Sequence, residues 1–351
     1  MPLKTRAFAA QTAASPLGPF TFDRRDPRAD DVVIDILYCG VCHSDIHQAR
    51  NEWGGSLYPI VPGHEIIGRV AQVGSSVNRF KAGDLVGVGC MVDSCQHCEP
   101  CEHGHEQYCD EGPTWTYNSV DRRDGQPTYG GYSERIVASE KFVLRIPDGL
   151  DPKTAAPLLC AGITTYSPLR HWGAGPGKTV GVVGLGGLGH MALKFAKALG
   201  AHVVLFTRSP GKEPEARRLG ADTVVLSTDQ DQMKAAAGMC DLIINTVPNP
   251  HDINPYMEAV KLDGTQVLVG LVGPIEPVLS SVPLIFRRRA VAGSLIGGIK
   301  ETQEMLDFCA ATGVTCDVEM IAMNDINGAY ERMLRSDVKY RFVIDIATLK
   351  A

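Results

Sequence analysis

Four of the eleven cysteines in this 351-residue chain crowd into one short segment. Thiolates spaced so closely can surround one ion tetrahedrally, and four protein ligands leave no open coordination position, which is typical of a structural zinc site. An iron–sulfur cluster is the alternative, although the last spacing differs from that of bacterial ferredoxins. We therefore predict structural zinc, and we expect the neighbouring His97, His103 and His105 to face solvent. The pattern C-x-x-C-x-x-C-x(7)-C is formed by Cys95, Cys98, Cys101 and Cys109.

A glycine-rich turn, Gly184-Leu185-Gly186-Gly187-Leu188-Gly189, follows a short apolar run and precedes an amphipathic stretch. In that context the pattern G-x-G-x-x-G is typical of dinucleotide binding. Its first glycine permits a tight turn, the second lets the backbone approach a pyrophosphate, and the third lets the helix pack closely. Free N–H groups at the start of the helix then favour negative charge. The turn predicts a dinucleotide site; a glycine-rich turn without a ligand is the alternative.

The end of the next apolar run indicates which nicotinamide cofactor is bound. An NAD site usually carries Asp or Glu about 20 residues beyond the glycines, where it accepts hydrogen bonds from the ribose. Here the chain reads Thr207-Arg208-Ser209, with Lys212 shortly after and no acid between them. Positive charge and hydroxyl donors suit a 2′-phosphate, so we predict NADP(H). The alternative is that Arg208 and Lys212 are merely exposed loop charges.

Three further potential metal ligands, Cys42, His64 and Cys160, lie far apart in the chain. Spacing alone does not unite them, and each by itself is as well explained as a packing residue. Two more thiols, Cys39 and Cys90, lie near these positions without fitting a motif, and we interpret them as buried thiols.

Two kinds of secondary structure must position these residues. Short strands separated by Gly, Pro, Asp and Ser dominate up to about residue 151, which is typical of an irregular, barrel-like all-β unit. From about residue 154 to 295, apolar runs alternate with amphipathic stretches, which predicts a parallel sheet covered on both faces. The predicted strands include 32–38, 66–73, 85–88, 180–183, 203–206, 242–244, 266–269 and 339–344; the predicted helices include one ending at Gly200 and one over 301–312.

The composition is that of an ordinary globular chain. Hydrophobic residues make up 44% and charged residues 21%, with a net charge of -6. This balance argues against nucleic acid as a partner, because phosphate binding needs clustered Lys and Arg. No apolar stretch approaches the roughly 18 to 20 residues that span a bilayer, and the first residues show no signal-peptide pattern, so we expect a cytoplasmic protein without a membrane partner.

Taken together, the motifs resemble those of the zinc-dependent medium-chain alcohol dehydrogenases, in the family's order and over essentially the whole chain. Within that family the chain is most similar to the cinnamyl-alcohol-dehydrogenase-like group of NADP(H)-dependent aldehyde reductases. The segments that carry the resemblance are 42–45, 63–65, the four-cysteine loop, 115–118, 130–132, 158–162, the glycine turn, 293–297 and 339–343.

The resemblance implies an α/β fold, in which a doubly wound Rossmann domain is inserted into a mainly-β, GroES-like barrel. On this basis we expect a catalytic domain over 1–153 and 296–351 and an NADP(H)-binding domain over 154–295. It also implies two zinc ions per chain, one structural and one catalytic, and a homodimer.

The resemblance also assigns roles to single residues. Cys42, His64 and Cys160 would hold the catalytic zinc, which needs three protein ligands and one open position. Ser44 would relay a proton through the cofactor ribose to His47 as the terminal base; a helix-capping hydroxyl and a surface histidine are the alternatives. The remaining assignments are Asp45 as the partner of His64, Glu65 as a group that can approach the metal, Thr164 behind the nicotinamide, Arg341 at the pyrophosphate, and Trp53, Leu57, Trp115 and Ile296 as an apolar substrate wall that could equally be ordinary core.

The predicted function is therefore the interconversion of primary alcohols and aldehydes, aryl or medium aliphatic and mainly in the direction of aldehyde reduction. An NAD-dependent polyol dehydrogenase of the same fold is one alternative, but it would more often show an acidic third ligand and an acid at the ribose. A non-enzymatic zinc or redox-sensing protein is the other, although it would leave the glycine turn unexplained.

Overall fold

The computed structural model describes residues 3–270 and 273–350. The chain forms two compact units: one comprises the chain up to Cys160 together with the part from Gly297 onward, and the other runs from Ala161 to Ile296. The first boundary falls at Cys160 rather than at 153, because the segment that leads to this cysteine packs against the strands of the first unit.

The first unit, here called the catalytic unit, is built on a seven-stranded sheet with two small two-stranded sheets. Its strands are β1 (Leu3–Ala9), β2 (Gly18–Arg24), β3 (Asp31–Gly40), β4 (Ile66–Val73), β5 (Leu85–Val88), β6 (Met91–Asp93), β7 (Thr114–Trp115), β8 (Arg135–Ser139), β9 (Leu144–Arg145), β16 (Val318–Ala322) and β17 (Arg341–Asp345). Its α-helices are α1 (His43–Ala49), α2 (Glu99–Glu102), α3 (Pro152–Ala155), α10 (Ile299–Thr312) and α11 (Ile326–Leu334). Its 3₁₀ helices are Glu106–Tyr108, Glu140–Phe142, Ala156–Leu159, Met323–Asp325 and Ile346–Lys350.

Antiparallel pairing brings several chain segments to one edge of the seven-stranded sheet. Cys39 near the end of β3 pairs with Ile66 at the start of β4, and Ile66 pairs in turn with Val88 at the end of β5. Ile344 of β17 also pairs with Cys39. Because neighbours run in opposite directions, the residues just after β3, just before β4, just after β5 and at the start of β17 meet at this edge.

The second unit, here called the nucleotide unit, has a six-stranded parallel sheet in the order β12-β11-β10-β13-β14-β15. Counted within the unit this is the order 3-2-1-4-5-6 of a Rossmann sheet, which binds dinucleotides where the order reverses. Its strands are β10 (Thr179–Val183), β11 (His202–Thr207), β12 (Thr223–Leu226), β13 (Cys240–Asn245), β14 (Val260–Leu268) and β15 (Ala290–Gly293). Its helices are α4 (Ala161–His171), α5 (Gly189–Ala198), α6 (Glu213–Arg218), α7 (Gln230–Ala235), α8 (Asn254–Ala259) and α9 (Ser281–Arg287), with a 3₁₀ turn at Pro210–Lys212.

The predicted elements are present, and the limits of most of them differ from the prediction by one or two residues. The strand predicted over 266–269 is the end of the longer β14, which begins at Val260 and whose residues 262 and 263 are exposed. The strand predicted from residue 339 begins at Arg341. Among the residues that the structure describes, no helix is both long enough and apolar enough to cross a bilayer.

Candidate active site and metal centres

The sheet edge of the catalytic unit gathers four potential metal-binding side chains. The donor atoms of Cys42, His64, Glu65 and Cys160 all lie within 4.8 Å of one another, and all four residues are buried. The two sulfur atoms are 3.9 Å apart. Two thiols and one imidazole are a donor set that zinc prefers, so the cluster fits that ion. We call these four residues the edge cluster.

The start of α1 fixes Cys42 and His64 relative to each other. Cys42 is the residue immediately before the helix, and its backbone N–H donates to Asp45 Oδ2 at 2.9 Å. The same carboxylate faces His64, with Asp45 Oδ1 at 3.2 Å from Nδ1. A carboxylate at Nδ1 holds the tautomer in which Nε2 is free for a metal. This geometry supports the predicted pairing of Asp45 with His64.

Glu65 and Arg341 form a buried ion pair beneath the ligands. Arg341 Nη2 donates to Glu65 Oε1, and both side chains are almost fully shielded from solvent. The other oxygen, Oε2, is buried and has no hydrogen-bond partner among the described residues. It occupies the space beside Gly40, where a Cβ would lie 1.9 Å from it. Burial raises the pKa of Glu65 to about 8 against the opposing effect of Arg341. A carboxylate with an unpaired buried oxygen beside two thiols is consistent with a transient metal contact.

The pKa values of the two thiols in the edge cluster are shifted in opposite directions. The hydrogen bond from Cys160 holds the pKa of Cys42 well below its usual range, and the positive charge of Arg341 acts in the same direction. The same hydrogen bond, together with burial, raises the pKa of Cys160. A third thiol, Cys90, follows β5, and the adjacent Cys160 thiol lowers its pKa. Cys39 is fully buried, as expected, whereas Cys90 is half-buried.

Helix α1 also carries the two candidate proton-transfer residues. Ser44 Oγ lies 3.6 Å from the sulfur of Cys42. One helical turn later, His47 Nδ1 lies 2.5 Å from Glu52 Oε2, and the imidazole ring stacks on Trp53 at a centroid distance of 4.9 Å. Because the ring is partly exposed, it can exchange a proton with solvent.

The four-cysteine loop forms a second cluster in the same unit. The sulfurs of Cys95, Cys98, Cys101 and Cys109 lie within 4.8 Å of one another. Backbone N–H groups point at three of them: Cys98 N donates to Cys95 Sγ, Asp110 N to Cys98 Sγ and Cys95 N to Cys109 Sγ, at 3.3 to 3.5 Å. Such donors stabilise thiolates, so this loop fits a tetrahedral zinc ion. As expected, His97, His103 and His105 are exposed.

The glycine turn of the nucleotide unit lies between β10 and α5. Gly184 has φ +89°, and a Cβ on Gly189 would lie 2.1 Å from the carbonyl oxygen of Gly184, so neither position admits a side chain without strain. Beyond β11, Arg208 and Ser209 are exposed, and Ser209 N donates to Thr207 Oγ1. Lys212 Nζ donates to the carbonyl of Leu185 at 2.9 Å, which places its charge at the glycine turn.

The remaining predicted residues are less closely grouped. Trp53 and Leu57 are each 42% exposed, and Trp115 is half-buried on β7. Ile296 is buried at the end of the nucleotide unit, with φ +38°. Thr164 is buried on α4. The roles of these residues in substrate or nicotinamide binding stay predictions, as does the contact of Arg341 with a pyrophosphate.

Sequence reasoning assigned no role to three residues that contact His64, Asp45 and His47. Tyr117 stacks on the imidazole of His64 at 5.7 Å, Tyr132 donates to Asp45, and Glu52 holds His47. Local sequence carried no signal for the two tyrosines, since each is distant in the chain from the group it contacts. Glu52 could have been found, because it follows His47 by five residues.

Comparison with known proteins identifies this arrangement. Residues 28–148 match the alcohol dehydrogenase GroES-like domain, and residues 187–311 match the zinc-binding dehydrogenase domain. The aldehyde reductase YahK of Escherichia coli is 58% identical over 99% of both chains. A cinnamyl alcohol dehydrogenase of Sorghum bicolor has a TM-score of 0.95 at 48% identity, covering 98% of both chains. A Helicobacter pylori cinnamyl alcohol dehydrogenase, solved as a complex with NADP(H), gives 0.93 at 42% identity over 99% of both.

A GroES-like unit and a Rossmann sheet in one chain, with a buried cluster of cysteine and histidine side chains, define a medium-chain dehydrogenase. The chain belongs to the family of zinc-binding alcohol dehydrogenases, which are alcohol and aldehyde oxidoreductases. The predicted fold class and enzyme class are confirmed, and the alternative of a non-enzymatic zinc or redox-sensing protein is wrong.

Proposed function

We propose that this chain reduces aldehydes to primary alcohols with NADPH and catalyses the reverse reaction with NADP⁺, using zinc held by Cys42, His64 and Cys160. The convergence of these three buried donors at one sheet edge carries the proposal. When bound there, zinc supplies a Lewis acid that polarises the substrate oxygen. The nicotinamide carries the hydride, while the protein supplies position and field.

The residues of α1 are suited to moving the accompanying proton. We assign the hydroxyl of Ser44, beside Cys42, as the group that exchanges a proton with the substrate oxygen. His47 then exchanges that proton with solvent, and the carboxylate of Glu52 at Nδ1 holds the orientation of its ring. The buried Asp45 keeps the His64 ring oriented, and Glu65 is available to approach the metal when its partners exchange.

The four-cysteine loop supports a second, structural zinc ion in each chain. Its ligands come from 15 consecutive residues, and the donor set is complete without any outside group. We therefore assign Cys95, Cys98, Cys101 and Cys109 a role in stability rather than in the reaction.

The nucleotide unit favours NADP(H) over NAD(H). The end of β11 offers Thr207, Arg208 and Ser209 in place of an acid, and Lys212 adds a charge at the glycine turn. A guanidinium can bind a phosphate with two parallel hydrogen bonds, whereas a ribose hydroxyl would leave it unsatisfied.

Parallel assays with NADPH and NADH against a panel of aryl and aliphatic aldehydes test the function. We expect faster oxidation of NADPH across the panel, followed by the fall in absorbance of the reduced nicotinamide. Consistently faster oxidation of NADH would overturn the cofactor assignment. Oxidation of a polyol with NAD⁺, at a rate above that of every primary alcohol tested, would favour the polyol dehydrogenase instead.

Arg208→Ala is the matched variant for this assay. The side chain of Arg208 is exposed, so the protein should stay folded. We expect kcat/KM for NADPH to fall by about 10-fold or more, because a charge-assisted hydrogen bond is worth roughly 1.5–3 kcal/mol. The value for NADH should change little, and equal losses with both cofactors would contradict the assigned contact.

We also propose that two copies of the chain associate in the cytoplasm through the nucleotide unit. Among the described residues, strand β15 is the last strand of the six-stranded sheet, and Val278, Ile285 and Phe286, which precede it in the chain, are 85%, 74% and 80% exposed. An unpaired strand edge next to an apolar patch favours pairing with an identical edge across a two-fold axis. Phe286→Asp should therefore shift the sedimentation mass from two chains towards one. A single-chain mass for the unaltered protein would contradict the assignment.

A further inference from the structure

The carboxylate of Asp45 is completely buried and receives four hydrogen bonds. Oδ1 faces Gly63 N at 3.1 Å and His64 Nδ1 at 3.2 Å. Oδ2 accepts from Cys42 N at 2.9 Å and from the hydroxyl of Tyr132 at 3.1 Å. An ionised carboxylate offers about four acceptor positions, so these donors fill it. Three of them belong to the segments that carry metal ligands, and Tyr132 is the fourth.

The surrounding backbone fixes the position of Tyr132. Its N–H donates to Pro62 O at 3.0 Å, and its carbonyl accepts from Phe8 N at 2.9 Å. The ring lies against Gly63, where an added Cβ would be 2.7 Å from Tyr132 Cδ1. Gly63 also has φ +102°, a conformation that favours glycine. The absence of a side chain at Gly63 therefore leaves room for the ring of Tyr132. The hydroxyl of this ring reaches Asp45 from a segment distant in the chain from both Asp45 and His64.

The hydroxyl of Tyr132 is a permanent donor. Burial, together with the nearby charge of Asp45, raises the pKa of Tyr132 well above its ordinary value. The geometry already makes the hydroxyl a donor, because the carboxylate oxygen that it faces at 3.1 Å can only accept. With two oxygens held by donors on opposite sides, the carboxylate cannot rotate away from the imidazole.

We propose that Tyr132 is a positioning residue for the metal site: its hydroxyl locks the Asp45 carboxylate, which in turn holds the imidazole of His64 towards the ion. This inference rests on the proposed function, because it assumes that His64 binds zinc. It assigns to the residue a role in metal retention that is separate from its contribution to packing.

Zinc release to a chromogenic chelator tests the proposal with the intact protein. Tyr132→Phe removes only the hydroxyl. We expect the release of zinc from the edge cluster to become about tenfold faster, since partners that orient metal ligands typically change metal affinity by 10–100-fold. Release from the four-cysteine loop should be unchanged. The phase of release that is missing from Cys160→Ser identifies the edge-cluster ion.

Tyr58→Phe is the matched control. The Tyr58 hydroxyl donates to the carbonyl of Ala49 at 2.8 Å, so this variant also deletes one tyrosine hydrogen bond to α1. We expect it to lower thermal stability without changing zinc release. A second control combines Tyr132→Phe with Asp45→Asn, where the tyrosine change should add little, because its effect passes through the carboxylate.

Each outcome bears on a different claim. Unchanged zinc release in Tyr132→Phe, equal acceleration in Tyr58→Phe, or a full additional effect in the Asp45→Asn background would each overturn the positioning role. An unaltered protein that binds zinc in the four-cysteine loop but none at the edge cluster would contradict the proposed function itself, and the inference with it.

Discussion

Replacing Cys160 by serine is expected to reduce turnover on the order of a thousandfold or more while the fold persists. The variant removes one of two thiolates from the edge cluster, and loss of a Lewis acid costs several kcal/mol of transition-state stabilisation, each ~1.4 kcal/mol being tenfold in rate. Steady-state assays should show the loss, and elemental analysis should show one zinc ion fewer per chain. Circular dichroism should show a spectrum close to that of the unaltered protein.

Cys309→Ser is the control for this variant. Cys309 is a buried thiol on α10 that belongs to neither cluster, and its sulfur lies 3.7 Å from Met305 Sδ. The same chemical change at this position should leave both zinc ions and most of the activity in place. Full activity of Cys160→Ser would falsify the ligand assignment, and a comparable loss in Cys309→Ser would indicate that buried thiols matter here for packing alone.

Cys101→Ser should lower the stability of the fold, whereas Cys160→Ser should lower the activity. The loop from Cys95 to Cys109 contains only two short helical turns, α2 and Glu106–Tyr108, and no strand. Binding of a structural zinc is coupled to folding, so its binding free energy stabilises the folded state. Loss of one ligand weakens zinc binding and therefore lowers the free energy of unfolding. We expect the free energy of unfolding to fall by roughly 3 kcal/mol or more, measured by denaturant unfolding with zinc present.

His103→Ala provides the comparison within the same loop. His103 is exposed and contacts the carbonyl of Glu99 at 2.8 Å. Its removal should change the free energy of unfolding by less than about 0.5 kcal/mol, as is usual for exposed positions. If Cys101→Ser unfolds at the same denaturant concentration as the unaltered protein and retains two zinc ions, the structural role of the loop is wrong.

Much of the fold could be read from local patterns. The strand predicted over 66–73 is β4 residue for residue, because the run is rich in Ile and Val, which favour strands. The glycine turn could be predicted as well, because its residues are adjacent in sequence and a side chain at Gly184 or Gly189 would be strained or would clash. The four-cysteine cluster could be predicted for the same reason, because its four cysteines lie within one short segment.

Local sequence patterns do not predict the edge cluster. Cys42, His64 and Cys160 come from segments separated by many residues, and only the resemblance to a family predicts that they lie together. Their meeting depends on the antiparallel register of β3, β4 and β5, which turns the ends and starts of distant strands into neighbours. Register is set by which faces become buried, and a one-residue slip would reverse every side chain, so no single segment encodes it.

The donor types, the dinucleotide turn and the alternation of elements are therefore encoded locally, because each depends on residues near one another in the chain. The pairing of Glu65 with Arg341, the approach of Cys90 to Cys160 and the contact of Tyr132 with Asp45 arise only when the chain folds. The last pair is separated by 87 positions in the chain. Contacts of that kind form when whole sheets become buried. The free energy of that burial is distributed over many residues, so no single residue or local pattern indicates the contact.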